Sequence, residues 1–429
     1  MGIAIFLIVA AVYFAFAGQL GRRSVTMPMV FLSLGLLVGL SPWQLLEGGT
    51  QSETVHLLAE LTLAMILFAD ASMLDLRAIW AERELPARLL LIGLPLCLGL
   101  GALVARLLFP EAPLGMALLI AAILAPTDAA LGLPVFTDER IPTRVRNALN
   151  VESGLNDGIV TPFVGLFLAL TLAEENVLLG NWLVDSIVEL TVGIGVGIAL
   201  GWLGGRLLEA ARRNRWASGQ SERLAILALG LACYFLAVAL SGNGFVAAFV
   251  GGIIFGAASR RDLAEEAEFT EDVGTMLSLA VWSQFGVLIA SGSLIGDVLA
   301  VGWRPLIYAL LSLTVIRMVP VALSQIGTGL RMETVALMGW FGPRGLASVV
   351  FGLLALLTFA EAGQPIEPLV ATVAWTVTLS VFAHGLTAQP LVGRYAARLS
   401  AAEAADREMQ EATELPVRRG TLAPAPQKM

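Results

Sequence analysis

Residues 151–158 read Val-Glu-Ser-Gly-Leu-Asn-Asp-Gly, placing two carboxylates, a hydroxyl and an amide inside a long apolar run. Residues four apart share a helix face, so Ser153 sits with Asp157 and Glu152 with Asn156. One face therefore offers a hydroxyl and a carboxylate, and the adjoining face carries a second carboxylate. Hard monovalent cations want several oxygen ligands, by the logic that governs oxygen-rich calcium and magnesium sites. Ser153 and Asp157 supply two. The preceding apolar run contains Ala125-Pro126-Thr127-Asp128. Pro126 lacks a backbone donor, so it should break that helix and leave carbonyls free near Thr127 and Asp128. A broken helix facing a carboxylate makes a small oxygen cage.

An ionised side chain at the centre of a membrane helix costs roughly 2.5–3.5 kcal/mol on insertion scales, so each needs a reason. Asp157 reads as a functional carboxylate, its alternative being a buried neutral acid with no transport role. Glu152 reads as half of a buried ion pair. Arg317, in Val-Ile-Arg-Met, is its natural partner. Arg344 competes for that role, or neutralises carbonyl ends at a second break, Gly342-Pro343-Arg344-Gly345. Asp128 fits either an ion ligand or a helix cap. Asp70 and Glu60 read as packing or interfacial polar residues, and His56 and His384 as interfacial residues near helix ends. Cys97 and Cys233 lie in apolar segments and suggest neither a disulfide nor a metal site. Gly193, Gly197, Gly201 and Gly205 recur every fourth residue, which predicts a close helix-packing surface.

The elements that must hold these residues are membrane helices. Of the 429 residues 57% are hydrophobic and 14% charged, against roughly 25% charged in ordinary globular proteins. Apolar runs of about 20 residues, enough to cross a bilayer, recur along the chain. They predict an all-α polytopic membrane protein with about thirteen spans, at 3–20, 26–40, 54–73, 86–107, 114–131, 145–171, 182–205, 222–240, 244–258, 273–290, 304–325, 333–357 and 367–390. The first reads as a spanning helix and not a cleaved signal. With thirteen spans and the N-terminus outside, all but four of the 26 basic residues fall on the cytoplasmic side; the exceptions are Arg106, Arg304, Arg317 and Arg344. That alternation obeys the positive-inside rule. Residues 1–400 thus form the membrane domain, N-out and C-in, and 401–429 a short disordered cytoplasmic tail. Thirteen spans divide as six, a linker and six. The two sixes then run in opposite orientation, as inverted repeats whose interrupted helices 5 and 12 correspond. Paired breaks point to a site near the bilayer midplane.

These motifs resemble the sodium/proton exchanger family, in its NhaP-like electroneutral branch. Glu152-Ser153-Gly154-Leu155-Asn156-Asp157-Gly158 is similar to the family's E-S-x-x-N-D signature, Thr127-Asp128 to the T-D of its broken helix, and Gly342-Pro343-Arg344-Gly345 to its G-x-R-G motif. Arg317 matches the arginine that the family pairs with the signature glutamate. Ser241–Phe249 resembles a recurring ninth-helix pattern. The family usually has proline after the helix-5 aspartate, whereas here Ala129 follows and Pro126 precedes. The resemblance implies that Asp157 carries cation or proton, with Thr127 and Ser153 as neighbouring Na+ ligands and Asn156 in place of the Asp of electrogenic relatives. It further implies a Glu152–Arg317 structural pair, a mobile bundle of helices 5, 6, 12 and 13, a homodimer, and residence in the cell membrane (plasma or inner).

The expected activity is one-for-one exchange of Na+, with Li+, for H+ by alternating access. Asp157 would cross protonated or cation-bound, because the bare carboxylate meets a desolvation barrier of roughly several kcal/mol. Potassium/proton exchange on the same scaffold is the alternative, and a cation channel or uniporter a more distant one. An intramembrane hydrolase is disfavoured, since neither H-E-x-x-H nor G-x-S-x-G occurs. No cofactor or nucleic-acid partner is expected; the partners are the lipid bilayer, monovalent cations and protons.

Overall fold

The computed structural model describes residues 2–40, 53–74, 76–174, 181–259, 264–290 and 302–399, and all regular structure there is helical. A backbone in hydrocarbon must satisfy its own polar groups, which an α-helix does within one segment. The chain runs α1 (Gly2–Arg22), α2 (Met27–Gly39), α3 (Glu53–Ser72), the short α4 (Leu76–Ala81), α5 (Glu84–Leu108), α6 (Leu114–Ile123), α7 (Ala129–Phe136) and α8 (Thr143–Glu174). It continues through α9 (Trp182–Arg213), α10 (Gly219–Ala239), α11 (Gly244–Ser259), α12 (Ala264–Ala290), α13 (Arg304–Ser324), α14 (Met332–Trp340), α15 (Leu346–Glu361) and α16 (Glu367–Leu399). Among the described residues nine helices are long and apolar enough to cross a bilayer, and α2, α6, α11 and α15 are shorter apolar helices. The chain is a multi-pass membrane protein.

Both expected interruptions are present. Helix 5 is two arms, α6 and α7, separated at Leu124–Asp128; helix 12 is α14 and α15, separated at Phe341–Gly345. The arm α7 continues to Phe136, beyond the expected end at 131.

Several elements depart from the sequence reading, among them α9, which runs past the expected end at 205 to Arg213. A single helix was expected over 304–325, but α13 is interrupted at Thr314, where φ is −117° and ψ −89°. A π-helical turn, Leu89–Gly93, interrupts α5. The tenth span was expected to start at 273, but α12 starts at Ala264, and α16 runs past 390 to Leu399. The last two extensions are charged, and a helix can continue into water where hydropathy no longer marks it. Arg212 on α9 binds Glu222 of α10 at 2.7 Å and Glu266, on the first turn of α12, at 2.8 Å. The expected tail, 401–429, lies outside the described residues.

The glycine stripe of α9 packs on α11, as its spacing predicts. A Cβ on Gly193 would stand 2.6 Å from the Asn243 carbonyl oxygen, and one on Gly197 2.7 Å from that of Ala247. Only hydrogen at these positions lets the two backbones approach. A main apolar core joins α1–α3 to α6, α8, α12 and α15. A second cluster, with Phe136, Val145, Leu149, Val321, Met338 and Val392, packs α7, α8, α13, α14 and α16 together.

Candidate ion-binding site

The two breaks lie against each other, held by Asp128. Its N–H donates to the Pro343 carbonyl at 2.8 Å. Its Oδ1 accepts from Leu131 N–H at 2.9 Å, capping α7, and its Oδ2 accepts from Leu346 N–H at 2.8 Å, at the start of α15. Two positive helix N-termini thus converge on one carboxylate. Ser348 on α15 donates to the Ile123 carbonyl at the end of α6, at 2.6 Å. Of the two roles open to Asp128, the cap is the one made by direct contacts. Gly345 makes room for it, since a Cβ there would overlap the Asp128 carboxyl group.

The opposite, carbonyl-rich ends are met by donors. Arg344, fully buried, donates Nη1–H to the Gly342 carbonyl at 2.6 Å and Nη2–H to that of Ser312 at 3.2 Å. It therefore neutralises carbonyl ends and does not bind Glu152. His384 departs from expectation. Because α16 extends to Leu399, this residue lies inside the helix and is buried, its Nε2 2.8 Å from the carbonyl of Trp340, the last residue of α14.

Glu152 on α8 pairs with Arg317 on α13. Nη1 lies 2.5 Å from Oε1 and Nη2 2.7 Å from Oε2, and the residues are 2% and 1% exposed. A planar guanidinium matches a carboxylate in this two-pronged geometry. Arg317 is placed three residues beyond the Thr314 interruption. Gly342 packs against it closely enough that a Cβ would overlap its Nε.

Next to this pair on α8 lies a hydroxyl cluster. Ser153 Oγ and Thr127 Oγ1 are 3.0 Å apart, and Asn156 Nδ2 donates to Thr127 Oγ1 at 2.7 Å. All three residues are buried. Ser153 and Asp157, together with Asp128 and Asp70, line a cavity of about 50 Å³ between α1–α3, α7, α8, α12 and α15. A water needs roughly 10–15 Å³ by this measure, so the space has room for a few water-sized groups. Thr127 and Asn156 stand behind Ser153: Thr127 bonds to it directly, and Asn156 bonds to Thr127. The helix-face argument did bring Ser153 and Asp157 to one space.

Asp70 was read as a packing or interfacial residue, yet it lines this cavity with Thr275 and Ser278 of α12. A carboxylate inside the apolar span of α3 was the available signal, but nothing along the chain ties its position to α8. Glu60, by contrast, meets His56 at 2.7 Å, one turn away on the same helix. Cys97 and Cys233 are free and buried. Among the described residues no group of three or more His, Cys, Asp and Glu side chains could hold a metal ion.

A membrane fold with two mutually capped broken helices beside a carboxylate-lined cavity is the architecture of a transporter. The chain belongs to the sodium/hydrogen exchanger family, whose transmembrane model matches residues 3–394; it is a transport protein of the monovalent cation/proton antiporter class, not an enzyme. Among individual relatives, it is 25% identical over 381 residues to the Na(+)/H(+) antiporter NhaH of Halobacillus dabanensis, covering 84% of this chain and 89% of that protein. It is 26% identical to a Na(+)/H(+) antiporter of Schizosaccharomyces pombe, covering 66% of each chain. It is 27% identical to the K(+)/H(+) antiporter NhaP of Alkalimonas amylolytica, covering 64% of this chain but 46% of that one. The fold is related to that of the sodium proton antiporter MjNhaP1 from Methanocaldococcus jannaschii, with a TM-score of 0.70, 21% identity, and coverage of 92% of this chain and 100% of that one.

Proposed function

We propose that this protein exchanges Na+, and also Li+, for H+ one-for-one by alternating access, with cation and proton competing for Asp157. The observation that carries this reading is the cavity in which Asp157 and Ser153 meet, backed by the crossing that Asp128 braces. Ser153 and the Thr127 behind it are the proposed neighbouring ligands, with Asn156 orienting Thr127. Glu152, with both carboxylate oxygens engaged by Arg317, is assigned a structural part in this reading and no share in proton traffic. One titrating carboxylate then gives electroneutral exchange.

The proposed frame has thirteen spans in two inverted repeats, N-out and C-in. The paired breaks and the distribution of arginines support it. A homodimer is proposed as well. The exposed apolar residues of α1 and α9, such as Ile8, Phe16, Ile198 and Trp202, leave room for a second copy or for lipid.

The decisive test uses purified protein in acid-loaded liposomes with a pH dye and pulses of Na+, Li+ and K+. Sodium and lithium should dissipate the gradient and potassium should not. Potassium-driven exchange would favour the second reading, K+/H+ antiport, which the K(+)/H(+) antiporters among the relatives recommend. Clamping the membrane potential should leave the reversal point where the cation and proton gradients balance. Moving one uncompensated charge through 100 mV would change the driving force by about 2.3 kcal/mol. A reversal point that follows the voltage would reject electroneutrality.

A further inference from the structure

A second, larger cavity of about 570 Å³ opens as a groove between α13, α14 and the C-terminal part of α16, away from the ion cavity. Its character changes along its length. Trp340 and Thr387 line one part, Met318, Ala336, Leu337 and Leu391 supply apolar wall, and Arg394 and Arg398 lie toward the C-terminal end of α16. The two arginines are four residues apart, so they share a helix face. Both are exposed, and among the described residues neither has an ion-pair partner. Glu333, on the opposite wall, is the only carboxylate among the described residues that line the groove, against two arginines.

The dimensions are those of one membrane leaflet. From Thr387 to Arg398 the helix rises about 16 Å at 1.5 Å per residue, close to half of the roughly 30 Å hydrocarbon core. Arginines at a helix end extend their heads to the interface while their stems stay on apolar surface. A soluble anion would use the rim and leave the apolar wall bare. A phospholipid uses both, and basic pockets between membrane helices are suited to anionic headgroups.

We propose that this groove binds one anionic phospholipid, its phosphate on Arg394 and Arg398 and an acyl chain laid along α14 toward Trp340. The lipid has a structural consequence for the transport core. The arm α14 is nine residues long, too short to be stable alone, and it packs against α13 and α16. Trp340 ends this arm, stacks on His384 at 5.1 Å between ring centroids, and leads into the break that carries Arg344. A lipid in the groove fills the open side of that arm.

The test is lipid retention by the delipidated full-length protein, followed by native mass spectrometry and by thermal shift. Phosphatidylglycerol should be retained and should raise the melting temperature, and phosphatidylcholine should do neither. The double variant Arg394→Ala/Arg398→Ala should weaken retention on the order of tenfold, as expected for two lost headgroup contacts. Ala336→Trp obstructs the apolar part of the groove and leaves both charges, and it should weaken retention at least as much. Wild-type retention by Ala336→Trp would reduce the effect to surface charge and overturn the proposal, and so would equal retention of the two lipids. Deletion of 401–429 should leave phosphatidylglycerol retention unchanged. A tenfold gain on deletion would make the tail the native occupant and overturn the proposal as well.

Discussion

Glu152 and Asp157 stand five residues apart on α8, which turns their side chains roughly 140° from each other around the helix. Glu152 meets Arg317 through two hydrogen bonds and is 2% exposed. Asp157 is half-buried and faces a cavity that it shares with Ser153, Asp128 and Asp70. A sealed pair has nothing left to exchange, because both of its charges are already answered by protein. A carboxylate on a cavity lies within reach of a small ion or water that enters it, which is the role proposed for Asp157. In the proposed mechanism α8 thus holds a fixed charge and an exchangeable one, and the rotation between them keeps the two apart.

The largest effect should come from breaking the exchangeable side. Asp157→Asn removes the titratable oxygen while keeping the shape, so cation-driven pH change in liposomes should vanish. The variant should assemble normally and lose no more than about 1 kcal/mol of stability, since the amide keeps the size and shape of the acid. Near-normal exchange by Asp157→Asn would move the site elsewhere.

The fixed side should break in the opposite way. Removing one member of a buried pair strands the other charge and costs roughly 3–5 kcal/mol. Glu152→Gln or Arg317→Ala should therefore lower thermal stability sharply in detergent. The double substitution should cost less than the sum of the two, the sign of direct coupling. Strict additivity would mean that the contact contributes nothing of its own.

A smaller loss is expected where the two broken helices cross. Asp128→Asn keeps one acceptor oxygen and should lose one cap, at about 0.5–2 kcal/mol; Asp128→Ala should lose both. Gly345→Ala should resemble Asp128→Ala, because its new methyl group displaces the same carboxyl group. If Asp128→Asn leaves stability untouched but abolishes cation competition, Asp128 is a ligand and not a brace.

Much of this contrast was legible along the chain, for a physical reason. A charge inside a membrane needs a partner, so Glu152 and Arg317 could be matched across 165 positions without knowing how α13 approaches α8. Pro126 and Pro343 each remove a donor, so both breaks could be placed. The Thr314 interruption and the Leu89–Gly93 turn have no such mark: Thr314 is followed by valine and isoleucine, and Leu89–Gly93 reads as ordinary apolar helix. Asp128 stayed ambiguous because a cap and a ligand use the same oxygens, and only the facing N–H of Leu346 separates them. Asp70 was misplaced because hydropathy locates a residue in depth but not around the helix axis, and facing the cavity is a property of rotation. His384 was misplaced by the underestimated length of α16.

Asp70 offers a finer probe of the exchangeable side. It shares the cavity with Asp157 but stands on α3, whereas Asp157 stands on the helix that carries the signature. Asp70→Asn should keep cation-driven exchange and raise the cation concentration needed for half-maximal rate, with the maximal rate little changed. A fall in maximal rate to the level of Asp157→Asn would instead make the two carboxylates equal members of one site.

The smallest effect calibrates the fixed pair against an ion pair in water. Asp138 and Arg140 lie in the turn between α7 and α8, where Arg140 Nη2 stands 2.6 Å from Asp138 Oδ2 and the Arg140 side chain is 52% exposed. The hydrogen bond from Arg140 holds the Asp138 carboxyl below its ordinary range. A carboxylate whose pKa is lower folded than unfolded stabilises the fold above its unfolded value, about 3.9, and loses that contribution as pH falls through the folded value. Arg140→Ala should therefore cost about 0.2–1 kcal/mol at neutral pH. The difference from wild type should hold steady down to about pH 5 and close below pH 4, with salt shrinking it throughout because exposed charges are screened. Melting curves of both proteins from pH 7 to pH 3, at low and high salt, measure this directly. The cost of Glu152→Gln should show no comparable salt dependence, since its pair is sealed from water. Equal salt sensitivity at the two sites would mean that solvent reaches Glu152, and the division of α8 into a fixed and an exchangeable carboxylate would fail.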